Sequence, residues 1–295
     1  MNPILSVAKR FAPNLITSIC HNMDQDRAYR LGDWIISLAV RHGSLLPMGK
    51  IRSSLSVILG IPKDDPGIDR AALRYLKNIY CSYVDFFKAL RGSKADIIEA
   101  IYIDPAQQKK INDHLANGQG VVLVGPHTCG FDFGIIALTK CFPDAQIISK
   151  PEPRGEYQFM HKMRRRFGLN MTPTSIPALR QAVQRLKNGG VVIISNDMLI
   201  ENGCKFKLFG KQVGLTTGHA RLALKSGAVM IMVVIHRVSP GRYQVVAEEI
   251  PQPESVGDKD LDTINWAQVS YACLENYIRR WPEEWYGLAV GMFGE

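Results

Sequence analysis

Several absences bound this chain before any residue is singled out. No apolar run approaches the roughly 18 residues that a membrane-spanning helix needs; the longest are Trp34–Val40 and Ala228–Ile235. No spanning helix is therefore expected. The start, Met1–Cys20, carries Lys9 and Arg10 after its first apolar residues and has no convincing cleavage site, so it does not read as a signal peptide. Cysteine is sparse and scattered, at Cys20, Cys81, Cys129, Cys141, Cys204 and Cys273, with no Cys-x-x-Cys pair. That spacing argues against a zinc site or a disulfide framework and points to a reducing, cytosolic compartment. There is no Gly-x-Ser-x-Gly elbow and no Gly-rich phosphate loop. No His or Cys cluster has metal spacing, and no cofactor is expected. Internal repeats and low-complexity linkers are also missing.

Acidic residues are outnumbered: 27 Asp and Glu stand against 36 Lys and Arg, a formal net charge of +9. Such a balance suits acidic partners, among them anionic lipid surfaces, acyl carrier protein, coenzyme A or nucleic acid. With 295 residues, 46% of them hydrophobic and 21% charged, the chain can bury a large core.

Residues 1–100 read as a helical lobe with possible membrane-surface contact. Its amphipathic segments are the start, Tyr29–Val40, Ile51–Leu59 and Ile68–Leu90. From Ile101 to the end, strands and helices alternate, which predicts an α/β core on a mostly parallel or mixed sheet flanked by helices. Val121–Val124, Gln146–Ser149, Asn170–Thr172 and Val191–Ser195 read as strands, and Ala228–Ile235 and Arg242–Glu248 as two more joined at Ser239-Pro240-Gly241.

The stretch Val121–Asp132 organises the whole. A buried β-branched strand ends at Gly125-Pro126, and the apolar run Phe133–Leu138 begins a helix. His127 and Asp132 flank that turn at the carboxyl end of a strand, where open α/β sheets place their ligands. Five extended residues span about 17 Å, so the two side chains meet only if the backbone folds back, which Gly130 eases. Asp132 would then fix one ring nitrogen of His127 and leave the other free as a base. The same spacing recurs at His21 and Asp26, but in a polar turn with no strand before it.

His-x4-Asp after a short strand resembles the signature of glycerolipid-type acyltransferases. Other segments follow in order: Met163-Arg164-Arg165-Arg166-Phe167-Gly168, Asn196-Asp197, Leu208-Phe209-Gly210, Thr216–Ala223 and Trp281-Pro282-Glu283-Glu284-Trp285. With Arg52–Gly60 as an amino-terminal block, the set is similar to the bacterial lipid A biosynthesis (lauroyl/myristoyl) acyltransferases. It also resembles the phosphatidylinositol mannoside acyltransferases. The Pro-Glu-Gly-Thr block of glycerol-phosphate acyltransferases is absent, Asp132 stands where lipid A enzymes often have Glu, and only one Phe precedes Gly210. These departures bear on the acceptor more than on the chemistry.

The resemblance implies O-acyl transfer from an acyl thioester, on acyl carrier protein or coenzyme A, to a hydroxyl of a membrane glycolipid. His127 with Asp132 would act as the base. Backbone N–H groups at the following helix start would hold the oxyanion. Arg164 matches the family's Arg, which would hold a phosphate or sugar, and Asp197 would lie on the acceptor side, on the same rim as His127. Lys150 and Glu152, ending another strand, are weaker substrate-binding candidates. Cys129 reads as a small filler, since direct transfer to a hydroxyl needs no acyl-enzyme.

A peripheral protein at the cytoplasmic face of the inner (plasma) membrane is expected, bound to an anionic surface, with no nucleic acid partner. Two rival readings stay open: a non-catalytic basic membrane- or nucleic-acid-binding protein, and an acyl-thioester hydrolase in which the dyad activates water.

Overall fold

The computed structural model describes residues 23–41, 47–90, 94–150 and 156–293. The amphipathic start, His21 and Glu152 lie outside the described residues. Four helices come first: α1 (Gln25–Arg41), α2 (Met48–Leu59), α3 (Pro66–Ala89) and α4 (Lys94–Glu99). Then follow β1 (Ile101–Ile103), α5 (Pro105–Ala116), β2 (Val121–Gly125), α6 (Phe131–Cys141), β3 (Gln146–Ser149), α7 (Glu156–Arg166), β4 (Asn170–Pro173), α8 (Ile176–Lys187) and β5 (Val191–Ser195). A hairpin, β6 (Cys204–Leu208) and β7 (Lys211–Leu215), precedes α9 (Gly218–Ser226), β8 (Val229–Ser239), β9 (Arg242–Glu249) and α10 (Lys259–Arg280). Two short 3₁₀ turns, Pro282–Glu284 and Tyr286–Ala289, close the described chain.

Helix starts follow local chemistry. Asp65 caps α3 and Asp104 caps α5, each followed by Pro at the first helical position. There the missing N–H costs nothing, because the first turn has no intrahelical acceptor for it. Ser175 does the same for α8, accepting from the N–H of Ala178.

Seven strands form one sheet in the order β1-β9-β8-β2-β5-β3-β4. All neighbours run parallel except β8 and β9, which form an antiparallel hairpin. The mostly parallel, helix-flanked α/β sheet read from the sequence is the observed one. Its central strands are apolar on both faces because both faces are covered. Val122 and Val124 face a cluster with Ile51, Leu55, Tyr75, Trp266 and Trp285. Val121 and Leu123 face the opposite cluster, with Phe133, Ile136 and Tyr243. Alternation within four residues is the period of a strand.

Helices α2 and α3 belong to the first of these clusters, so they pack in the same core as one face of the sheet. Elements not picked out from the sequence are α4, β1, α5 and the β6–β7 hairpin. In the hairpin, buried Phe206 and Leu208 alternate with exposed Lys205 and Lys207, a strand signal carried by too few residues to stand out in a basic loop. Its two-residue turn, Phe209-Gly210, has positive φ at both positions, 50° and 75°, as a tight hairpin requires.

Candidate active site

Register places the two central residues. β2 and β5 are parallel neighbours, and Gly125 lies beside Ser195. Two residues further on, both chains leave the sheet at His127 and Asp197. Asp197 Oδ1 sits 2.7 Å from His127 Nδ1, and its Oδ2 accepts the backbone N–H of His127 at 2.8 Å. The expected hydrogen bond between His127 and Asp132 is therefore replaced. The carboxylate on the ring comes from the neighbouring strand end, 70 residues along the chain.

An ionised carboxylate only accepts, so the proton resides on Nδ1 and Nε2 keeps its lone pair. The imidazole side chain is 30% exposed, while that of Asp197 is 3% exposed. Burial works against a charged imidazole, but the charge and hydrogen bond of Asp197 outweigh it and raise the His127 pKa. For Asp197, burial would raise the carboxyl pKa; the charge and hydrogen bond of His127, helped by backbone and Trp285 donors, hold it below the usual range.

The second donor from outside the loop is Trp285, whose indole N–H reaches Asp197 Oδ2 at 3.0 Å. This fully buried residue lies in the closing segment, and that segment holds the His127 loop by two further hydrogen bonds, which together make one antiparallel bridge. The N–H of Tyr286 donates to His127 O at 2.9 Å, the N–H of Cys129 donates to Glu284 O at 2.9 Å, and Thr128 forms an antiparallel bridge with Trp285. Phe209 of the hairpin turn packs against Trp285 with ring centroids 6.3 Å apart, and its N–H donates to Glu275 at 2.6 Å. The separated segments thus form a chain of contacts behind the imidazole: Phe209 packs on Trp285, Trp285 donates to Asp197, and Asp197 holds the His127 ring. Sequence reasoning gave no site role to Trp285, Tyr286 or Phe209. The available signal was the cluster of aromatic residues near the end of the chain.

Asp132 has another partner. Arg164 donates through Nε to its Oδ1 at 2.6 Å, and both side chains are largely buried, 14% and 16% exposed. Burial would lower the guanidinium pKa, yet Asp132 raises it. Phe131 touches both pairs: its ring centroid is 4.5 Å from that of His127, and the Arg164 guanidinium lies over the same ring at 5.6 Å. Of the three consecutive arginines, Arg164 turns inward while Arg165 and Arg166 are exposed, as their angular spacing on a helix demands.

Gly130 makes this turn possible. Its φ is +81°, and a Cβ there would fall 2.2 Å from Tyr243 Cδ1. The helix-start amides are largely engaged. Cys129 N–H goes to Glu284, Gly130 N–H to Ser82 Oγ at 3.0 Å and Phe131 N–H to Thr128 O at 3.1 Å. Oxyanion donation from those three amides is thereby restricted.

Cys129 is fully buried, and burial pushes its thiol well above the usual range; such a thiol is a poor nucleophile. Lys150 is exposed at the end of β3, which is separated from β2 by β5. It lies on the same rim but beyond Asp197. Thr216 Oγ1 accepts the N–H of Gly218 at 3.0 Å, a cap for α9, whereas Thr217 makes no side-chain cap. Among the described residues, no group of His, Cys, Asp and Glu could hold a metal ion.

Comparison with curated proteins returns no match. The family model described as bacterial lipid A biosynthesis acyltransferase matches residues 84–289, which include His127, Asp132, Arg164, Asp197 and Trp285. The chain therefore belongs to the bacterial lipid A biosynthesis acyltransferase family, whose members are acyltransferases acting on lipid.

Proposed function

We propose that this protein is an O-acyltransferase that moves a fatty acyl group from an acyl thioester to a hydroxyl of a membrane glycolipid, with His127 as general base. The donor would be acyl carrier protein or coenzyme A. The observation that carries the reading is the half-open imidazole: Nδ1 is held at 2.7 Å by an ionised carboxylate, and the ring is 30% exposed at the rim of the sheet.

Nε2 takes the acceptor hydroxyl proton as the oxygen attacks the thioester carbonyl. The tetrahedral intermediate collapses, the C–S bond breaks, and the imidazolium returns its proton to the leaving thiolate. Ester and thiol are the products, and no covalent enzyme intermediate is required. A positioned base contributes about 10²–10⁴ in rate. Asp197 fixes the tautomer and offsets the charge on the imidazolium. Asp132 instead orients Arg164, which recognises an anionic or sugar group of the substrate.

A peripheral position at the cytoplasmic membrane face is supported by three features. No helix among the described residues is long and apolar enough to cross a membrane. Met198, Leu199 and Ile200, directly after Asp197, are exposed. Lys150 is exposed where β3 ends on the same rim, and Arg165 and Arg166, beside the inward-turned Arg164, are exposed as well.

The test is turnover of purified protein with acyl carrier protein or coenzyme A thioesters and a detergent-dispersed glycolipid acceptor. Thiol release and acylated lipid should appear together and vanish in His127→Ala. Thiol release with free fatty acid and no acceptor dependence would make it a hydrolase. Lipid binding without turnover would make it a non-catalytic binding protein.

A further inference from the structure

Arg164 has a neighbour that neither the resemblance nor the proposed reaction uses. His161 lies three residues earlier on α7, on the same helical face. It is 7% exposed, and its Nδ1 is buried with no hydrogen-bond partner among the described residues. A buried polar atom left unmatched is unusual and asks for an explanation. His219 also has unmet ring nitrogens, but in the core; His161 differs in lying beside Arg164, where an incoming ligand would meet its free nitrogen.

The electrical surroundings say which ligand. Burial disfavours the charged imidazole, and the charges of Arg164 and Arg165 add to that; Asp132, reached from α6, opposes them. His161 is therefore neutral, beside two cations and one carboxylate. Arg164 keeps Asp132 on its Nε edge, which leaves the remaining donors of a five-donor fork to other work. A neutral imidazole N–H next to a guanidinium matches an oxygen-rich anion with several acceptors. A phosphate fits this, since one oxygen can take the guanidinium and another the imidazole.

Resting on the acyl-transfer reading, we propose that His161 and Arg164 form a two-residue clamp for a phosphate of the substrate, with His161 as the discriminating member. Phosphate could enter from two sources: the lipid acceptor's headgroup or the phosphopantetheine arm of the donor. Both present the same chemistry to the clamp.

Paired probes separate the sources. Calorimetry on the full chain compares lysophosphatidic acid with monoacylglycerol, and coenzyme A with pantetheine, in wild type, His161→Leu and His161→Asn. The leucine variant should bind one phosphate-bearing probe about tenfold more weakly and bind its phosphate-free counterpart unchanged. Whichever pair separates identifies the source. Asn places an N–H donor near the position of Nδ1, so His161→Asn should recover most of the loss. With active protein, KM for the phosphate-bearing substrate should rise about tenfold while kcat stays within about twofold. Equal loss on phosphate-free probes, or no loss on any, overturns the clamp. If His161→Leu does not fold, a wild-type-like preference in a His161→Phe or His161→Gln variant that lacks the Nδ1-like donor overturns it equally. Phosphate-dependent binding in a protein that never turns over would sink the acyl-transfer reading alone.

Discussion

His127 and Asp197 face each other because Gly125 and Ser195 are register partners and each chain takes two more residues to reach the rim. The pair is thus built by strand pairing, which is stiff, and not by a five-residue loop. Its consequence is a division between two carboxylates. His127→Ala should lower kcat by about 10²–10⁴, Asp197→Asn should lower kcat with little change in KM, and Asp132→Asn should chiefly raise KM by releasing Arg164. Steady-state kinetics of the three variants with one acceptor decide it; a kcat loss confined to Asp132→Asn would restore the His-x4-Asp pair.

The pH dependence has opposite signs for activity and stability. His127 must be neutral to act as a base, and Asp197 raises its pKa above the ordinary 6.5. The acid limb of kcat should therefore lie above the ordinary histidine range, and Asp197→Asn should move it to lower pH. For stability, a raised histidine pKa stabilises fully below about 6.5 and loses that contribution as pH rises through the folded value. Asp197, depressed from 3.8, stabilises above that value and loses its contribution as pH falls through the folded one. The pair should thus contribute most under mildly acidic conditions, where turnover is already declining. Thermal melts and kcat measured across one pH series would show the two curves diverging.

Much of the frame was legible in sequence. The buried runs Val121–Val124 and Val191–Ser195 announce strands by composition, and each is followed within three residues by a titratable side chain. Strand order was not legible: nothing in the run after Val191 says that it inserts between β2 and β3. Without that adjacency, nearness along the chain favoured Asp132 as the partner of His127. Trp285 was likewise hidden, because its contact with Asp197 joins residues 88 apart. Helical geometry says only that one of three successive arginines can face inward; it was the family resemblance that pointed to Arg164.

Gly130 permits no side chain. Its φ of +81° and the 2.2 Å approach to Tyr243 require both strain and displacement in Gly130→Ala. Left-handed backbone at a non-glycine residue costs about 1–3 kcal/mol, and the displaced Tyr243 also donates to buried Asp85 at 2.7 Å. A drop in melting temperature of several degrees with loss of most turnover is expected. Calorimetric melting of Gly130→Ala beside Gly118→Ala separates the two contributions: Gly118 also has positive φ, +73°, but open space around its Cβ position.

Cys129 should prove dispensable to the chemistry. Its thiol is fully buried, and burial holds its pKa well above the usual range, so little thiolate exists near neutral pH. Intact mass after incubation with acyl thioester alone should show no acyl-protein, and Cys129→Ala should keep turnover within about tenfold, since removing one buried sulfur perturbs packing modestly. An acyl group trapped on Cys129 would replace direct transfer with a two-step mechanism.

The exposed triplet Met198, Leu199 and Ile200 should set how the site meets its lipid. These residues follow Asp197 directly, so whatever they touch lies at the mouth of the candidate active site. Three adjacent apolar side chains in water are costly, and burying each in an acyl layer gains roughly 1.5–3 kcal/mol at most. The exposed cations Lys150, Arg165 and Arg166 add about 1 kcal/mol each near an anionic surface, screened over about 8 Å at physiological salt. On the peripheral reading proposed above, neither group would suffice alone, and the two together would give reversible attachment with the site facing the bilayer. Replacing all three apolar residues by Ser should reduce sedimentation with phosphatidylglycerol vesicles at every salt concentration. Replacing Arg165 and Arg166 by Gln should reduce it mainly at low salt. Turnover of a short-chain acceptor dispersed in detergent should change little in either variant, because attachment and chemistry are then uncoupled. Vesicle binding that ignores both sets of substitutions would move the membrane contact away from this rim.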